Sequence, residues 1–305
     1  MLLKKPLLIC VVGPTAIGKT SLAIKLAQAF STEIISADSR QFFKEMKIGT
    51  AVPSAEELST VPHHFIQNKS IFDDYSVGDF ERDAIALLNF LFEKNEIVIM
   101  VGGSGLYVDA VVKGLDIFPD VPSKIREQLN SELQIKGIDT LQNELKKVDH
   151  TYFEKVDIHN PHRLVRALEI YRASGKPYSS FLKKESATRN FETLFIGLTS
   201  EKEIIYNRIN LRVDTMIEGG LIAEAKSLYP HKEKNALQTV GYRELFEYFD
   251  GNISKEEAIS EIKKNTRRFA KRQKTWFKRN EAIKWFDYGT DASEIVTFIK
   301  EKNAH

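Results

Sequence analysis

At 305 residues, 42% of them hydrophobic and 28% charged, the chain has an ordinary globular composition and the length of one core domain carrying an insertion. A single cysteine, Cys10, excludes an intramolecular disulfide framework; no run of about 18 apolar residues offers a membrane span, and the opening MLLKKP lacks a signal-like apolar stretch, so the expectation is a cytoplasmic protein without a membrane partner. The net charge of +2 conceals a strongly uneven distribution.

Residues 6–12 (PLLICVV) predict a short strand, and residues 21–30 (SLAIKLAQAF) carry the period of an amphipathic helix. Between them stand Gly13, Pro14, Thr15, Ala16, Ile17, Gly18, Lys19 and Thr20. Two glycines five residues apart, followed by a lysine and a hydroxyl in strand–loop–helix context, form a phosphate-cradling loop. The helix N-terminus aims unpaired N–H groups at a diphosphate or triphosphate, Lys19 adds a cation, and Thr20 is expected to hold a magnesium ion. The loop alone leaves the cargo open.

Residues 33–37 (EIISA) predict a second strand that runs into Asp38, Ser39, Arg40 and Gln41. Ligands bind beyond the carboxyl ends of strands in open parallel sheets, which makes these four candidates; the competing reading is a polar turn. Residues 42–62 carry scattered Gly49, Pro53 and Pro62. His63 and His64 read as loop or packing histidines, because adjacent imidazoles diverge on a strand and are poorly spaced on a helix for a shared metal. A helix is predicted over 79–94, with Phe80, Ala84, Leu87, Leu88 and Leu91 on one side, then a buried parallel strand over 97–101 (IVIMV). That strand ends in Gly102, Gly103 and Ser104, where a motor ATPase usually carries an acidic residue. Close backbone approach to a ligand and a tight strand-to-helix turn explain these glycines equally well.

From residue 119 the pattern changes to short helices: Ile125, Leu129 and Leu133 share one spacing, Leu141, Leu145 and Val148 another. A third helix has Asn160 to cap it, Pro161 in its first turn and Gly175 at its end. Its wheel places His162, Arg163 and Arg166 on one side and Leu164, Leu168 and Tyr171 on the other. Residues 119–192 therefore read as a helical insertion, and residues 193–198 (TLFIGL) resume the core, so that 1–118 and 193–305 form one catalytic domain. A helix over 200–216 sets Arg208 and Arg212 four apart on one face, facing a phosphoryl group or pairing with Glu201 and Asp214. Gly241 and Tyr242 mark a turn.

The charge asymmetry lies in residues 263–279 (KKNTRRFAKRQKTWFKR), where nine of seventeen residues are basic and none is acidic. On a helical wheel the nine occupy one half, and Ile262, Thr266, Phe269, Gln273, Trp276 and Phe277 occupy the other, which is expected to dock on the protein. Nine uncompensated cations favour a nucleic acid over a solvated face. Residues 283–287 (IKWFD) predict a last strand and an amphipathic helix follows through 302.

The set GPTAIGKT, DSRQ (38–41), GTAVP (49–53), VPHH (61–64), GGSGLY (102–107), NPHRLVRALE (160–169), RVDTM (212–216), VGYRE (240–244) and TRRFAKRQKTWF (266–277) resembles the tRNA dimethylallyltransferases, in order and over nearly the whole chain. One departure is Ser104, where that family usually has threonine. The resemblance implies an α/β, P-loop NTPase-like parallel sheet with flanking helices and a helical insertion. It implies transfer of the dimethylallyl group of dimethylallyl diphosphate to N6 of the adenosine beside the anticodon, position 37 of tRNA; a monomer is the default expectation. It also implies roles. Asp38 would be the base and Gln41 the reader of the adenine edge; Lys19, Thr20 with magnesium, Ser104 and Arg212 would stabilise the leaving diphosphate. Contacts to the anticodon stem-loop would come from Asp38, Ser39, Arg40, Gln41, Ser104, Arg126, the segment His162, Arg163, Leu164, Val165 and Arg166, the segment Gln238, Thr239, Val240, Gly241, Tyr242 and Arg243, and from Arg267, Arg268, Lys271 and Arg272. Three rivals stand beside this reading: a small-molecule kinase, a noncatalytic nucleotide switch that binds RNA, and a prenyltransferase acting on free adenine nucleotides.

Overall fold

The structure is a computed structural model that describes residues 5–182 and 187–304. In chain order its elements are β1 (Leu7–Val12), α1 (Lys19–Ala29), β2 (Ile34–Ser36), α2 (Ala55–Thr60), β3 (His63–His64), α3 (Val77–Phe92), β4 (Ile97–Gly102), α4 (Gly105–Lys113), α5 (Ser123–Lys136), α6 (Ile138–Val148), α7 (His150–Phe153), α8 (Pro161–Ser174), β5 (Glu192–Thr199), α9 (Lys202–Glu218), α10 (Leu221–Leu228), α11 (Tyr242–Phe249), α12 (Lys255–Phe277), β6 (Ile283–Asp287) and α13 (Ala292–Ala304). The strands form one parallel sheet in the order β3-β2-β4-β1-β5-β6.

β1 lies between β4 and β5, and all six of its residues are buried. Its alternating side chains feed two cores: Leu7, Ile9 and Val11 pack with residues of α1, α9 and α13, whereas Leu8, Cys10 and Val12 pack with residues of α3 and α4. A strand covered on both faces must be apolar throughout, which is why PLLICVV shows no alternation. A third apolar cluster joins α10, α11 and the first half of α12 around Tyr242 and Ile262.

The chain divides into two compact units, one of Met1–Lys113 with Thr188–His305, the other Gly114–Ala187. The return to the first unit precedes residue 193, since Arg189 is already held there by Glu81 and the Ala110 carbonyl. The second unit closes over Leu129, Leu141, Leu145, Leu164, Val165 and Leu168. In it the Asn160 side chain accepts from the Arg163 N–H at 3.3 Å, Pro161 opens α8, and Gly175 at φ +70° ends it.

The structure fills in or changes several local readings. The span 42–62 contains α2, with a reciprocal cap between Ser54 and Glu57. His63 and His64 form an edge strand, and His64 Nε2 meets Glu33 Oε2 at 2.6 Å. Gly241 and Tyr242 begin α11, and α12 starts at Lys255, eight residues before the basic run. Among the described residues no helix is long and apolar enough to cross a membrane.

Candidate active site

Gly13 to Thr20 connect β1 to α1, whose N-cap is Gly18 at φ +106°. Gly13, at φ +143°, lies where a Cβ would stand 2.6 Å from the Leu198 carbonyl oxygen, so the loop presses against β5. Lys19 Nζ donates to the Pro14 carbonyl at 2.7 Å, and Arg208 Nε donates to that of Ala16 at 2.7 Å. Burial, then the neighbouring Arg212 guanidinium, push the Lys19 ammonium down to about 7, while Asp38 pulls the other way. Arg212 is itself lowered, first by burial and then by Arg208. Lys19 and Arg212 thus both disfavour their own charges beside this loop, which suits the approach of an anion. The pairing of Arg212 with Asp214, one reading of the sequence, does not form; Asp214 binds Lys263 at 2.6 Å.

The second wall comes from the ends of β2 and β4. A Cβ on Gly102 would fall 2.3 Å from the Ala37 carbonyl oxygen, so the two strand ends meet through glycine. The Ser104 hydroxyl then accepts from the Ser39 N–H and donates to the Ser39 hydroxyl, both at 3.1 Å, while Asp38 Oδ1 accepts from the Arg40 N–H at 3.0 Å. The Ser104 hydroxyl thus holds the loop that carries Asp38. Arg40 reaches away, donating to the Asn235 and Ala236 carbonyls at 3.0 and 3.1 Å. Gln41 Nε2 donates to the Thr50 and Ala51 carbonyls at 3.2 and 3.0 Å, and its Oε1 accepts from Ser36 at 3.3 Å. Its amide is therefore engaged within the protein here, whereas the sequence reading had it free for an adenine edge.

These walls enclose a cavity of about 560 Å³ that Thr15–Thr20, Asp38–Gln41, Ser104, Arg208, Arg212, the 238–241 turn and Arg243 all line. Tyr242 is the exception in its segment. It is fully buried beneath Gly49 and donates to Glu224 at 2.7 Å, so its side chain belongs to the core.

Two residues were absent from the sequence reading of the site. Gln273 on α12 accepts from the Thr15 N–H at 2.8 Å and donates to the Gly103 carbonyl at 3.0 Å, joining the phosphate loop to the glycine turn. A Cβ at Gly103 would stand 2.2 Å from Gln273 Nε2, which gives that glycine its reason. A lone amide among apolar docking positions was the available signal. Glu224 accepts from the Lys47, Ile48 and Gly49 N–H groups at 3.0, 2.7 and 2.9 Å, fixing the loop that receives Gln41. No sequence pattern marks it.

The basic run divides. Lys263 pairs with Asp214, Lys264 with Glu261 at 2.7 Å, Arg267 donates to Asn210 at 2.7 Å and Arg268 to the Asn265 side chain at 3.1 Å, so four of the nine cations meet side-chain partners in the protein. Arg268, Lys271, Arg272, Lys278 and Arg279 are exposed. The docking face is Ala258, Ile262, Ala270, Gln273 and Phe277; Phe269 and Trp276, assigned to it from the wheel, are each 38% exposed. Trp276 still meets the protein at its edge, where its Nε1 donates to Asp109 at 2.9 Å.

In the second unit His162 and Arg163 are exposed, but Leu164 and Val165 are buried in its core and are not surface contacts. Arg126 forks onto Glu169 at 2.6 and 2.9 Å, and Arg166 reaches the same carboxylate at 2.6 Å. The Glu169 side chain is 2% exposed, so these arginines first neutralise a buried charge.

The family model described as IPP transferase matches residues 41–280. The tRNA dimethylallyltransferase of Flavobacterium psychrophilum is 58% identical over 304 residues, covering 98% of this chain and 99% of that protein; the one from Christiangramia forsetii is 59% identical over 295 residues, covering 97% and 98%. Among solved structures, the full-length tRNA isopentenylpyrophosphate transferase of Bacillus halodurans is 38% identical with a TM-score of 0.74, covering 98% of this chain and 97% of that one. A eukaryotic dimethylallyltransferase acting on tRNA is 28% identical with a TM-score of 0.78, covering 97% and 77%.

Proposed function

The chain belongs to the IPP transferase family and is a tRNA-modifying prenyltransferase, and from that premise we propose that it takes its prenyl group from dimethylallyl diphosphate and places it on N6 of the adenosine beside the anticodon. The observation that carries this reading is the meeting in one cavity of the cation-lined phosphate loop and Asp38.

An exocyclic adenine amine is a weak nucleophile, so it must be aligned with the allyl C1 and relieved of a proton. The N6 lone pair forms the new bond to C1, the C1–O bond breaks with its electron pair leaving on the diphosphate, and the N6 proton passes to the Asp38 carboxylate. Charge therefore builds on the bridging oxygen during the step. Lys19, Arg208, Arg212 and the N–H groups at the start of α1 are held ready for that charge, and Ser104 fixes the Asp38 loop against it. Recharging of Lys19 by the diphosphate relieves the cost of burying the cation alone.

The donor set fits a magnesium ion held largely by its cargo. Among the described residues there is no group of three or more His, Cys, Asp or Glu side chains suited to a metal, so the Thr20 hydroxyl, substrate phosphate and water would hold it, and it would supply charge neutralisation. The adenine reaches the cavity by leaving its stack, and contacts from the 238–243 turn and α12 offset that cost of a few kcal/mol.

Incubation with radiolabelled dimethylallyl diphosphate and unmodified tRNA, with ATP and AMP in parallel, tests the assignment. Label on the tRNA adenosine is expected; label confined to a free nucleotide would overturn it.

A further inference from the structure

Ile262, Thr266, Phe269 and Arg272 follow one another at helical spacing along α12, and all four line the active-site cavity. Phe269 is the anomaly. At 38% exposed it packs into none of the four apolar clusters found among the described residues. Trp276, equally exposed, has protein partners: its Nε1 donates to Asp109 at 2.9 Å and its ring covers Gly105. Phe269 has instead the Arg272 guanidinium 5.7 Å from its ring centre, with Arg268 and Lys271 exposed beside it. A single exposed aromatic is ordinary on a surface. One set in the wall of a reactive cavity, among exposed cations, has the composition of a single-stranded nucleic-acid site, where a ring takes the base and the cations take the phosphates.

We propose that Phe269 is a stacking platform for an unstacked nucleobase of the RNA substrate. The inference rests on the tRNA reading above and gives a role to a residue that the helical wheel assigned only to the docking face. Drawing a base out of an anticodon loop exposes π-faces to water, and a rigid aromatic at the cavity wall replaces the lost stacking without reading sequence.

Phe269→Ala, Phe269→Leu and Phe269→Tyr separate ring from bulk. The dissociation constant for unmodified tRNA is measured across a salt series, beside the KM for dimethylallyl diphosphate. Alanine and leucine are each expected to weaken tRNA binding on the order of tenfold, tyrosine to retain it, and all three to leave the salt slope and the KM unchanged. Leucine binding as tightly as the parent would reduce Phe269 to an apolar filler and overturn the platform, as would a neutral alanine variant. Failure of the unsubstituted protein to bind or label tRNA would instead overturn the reading beneath it.

Discussion

The strand-end site and the basic helix are both rich in cations, but they come by their function in opposite ways. The loop from Gly13 to Thr20 carries its geometry in eight consecutive residues, because its turn and the start of α1 are set by the backbone of those residues alone. On α12 the same residue types mean different things one turn apart: Lys263 is tied to Asp214 and Lys264 to Glu261, while Arg268 and Lys271 face solvent. A loop motif is a local object, whereas a charged helix is assigned by whatever packs beside it.

Substitutions should keep the two regions apart. The largest effect is expected from Asp38→Ala, which removes the proton acceptor and should lower turnover on the order of 10²- to 10⁴-fold with tRNA affinity retained. Single-turnover kinetics beside a binding assay checks this, and unchanged turnover would remove Asp38 as the base. Charge reversal of Arg268 and Lys271 should act on the other side, weakening tRNA binding roughly tenfold or more and flattening its salt slope by about one per lost phosphate contact. Binding that is indifferent to the reversal would make the strip a solvated face.

Lys19 makes the strand-end site sensitive to pH. Its folded value of about 7 lies below its ordinary 10.5, so between those values the unfolded chain binds the proton that the folded loop sheds. The ligand-free protein should therefore lose stability as pH falls through that window. At pH 8 roughly nine-tenths of Lys19 is neutral, and diphosphate binding should take up close to one proton at this residue. Calorimetry in buffers of different ionisation enthalpy, with Lys19→Arg as the permanently charged reference, reads that uptake; equal uptake by the two proteins would contradict the assignment. The smallest effect is expected from Lys263→Gln with Lys264→Gln, which should leave the salt slope unmoved and cost at most about 1 kcal/mol per pair in thermal or denaturant unfolding. A shallower slope would mean that these pairs open to meet RNA.

The sequence was legible where chemistry is local. Strand β1, the phosphate loop, the capped helix α8 and strand β6 follow from periods, glycines and an asparagine cap within a few residues. Partner choice was not legible. Nothing in the run 263–279 says that Asp214, Glu261 and Asn210 will take three of its cations, and nothing near Glu224 announces that it holds residues 47–49. Arg126 and Arg166 were visible as charges, but their buried counter-ion, Glu169, lies in a motif read for its arginines. Gln41 shows the same limit: an amide at a strand end was apparent, and its engagement with Thr50 and Ala51 depends on a loop fixed from α10 and α11.

The central claim is that the phosphate loop holds a leaving group whose bond to carbon breaks, leaving phosphorus untouched. The most direct measurement follows both halves of doubly labelled dimethylallyl diphosphate, tritium in the allyl chain and ³²P in the diphosphate, in one reaction with unmodified tRNA. Intact diphosphate released in equal amount to tritium on tRNA adenosine is the predicted result; orthophosphate, or diphosphate released without tritium on tRNA, would contradict it.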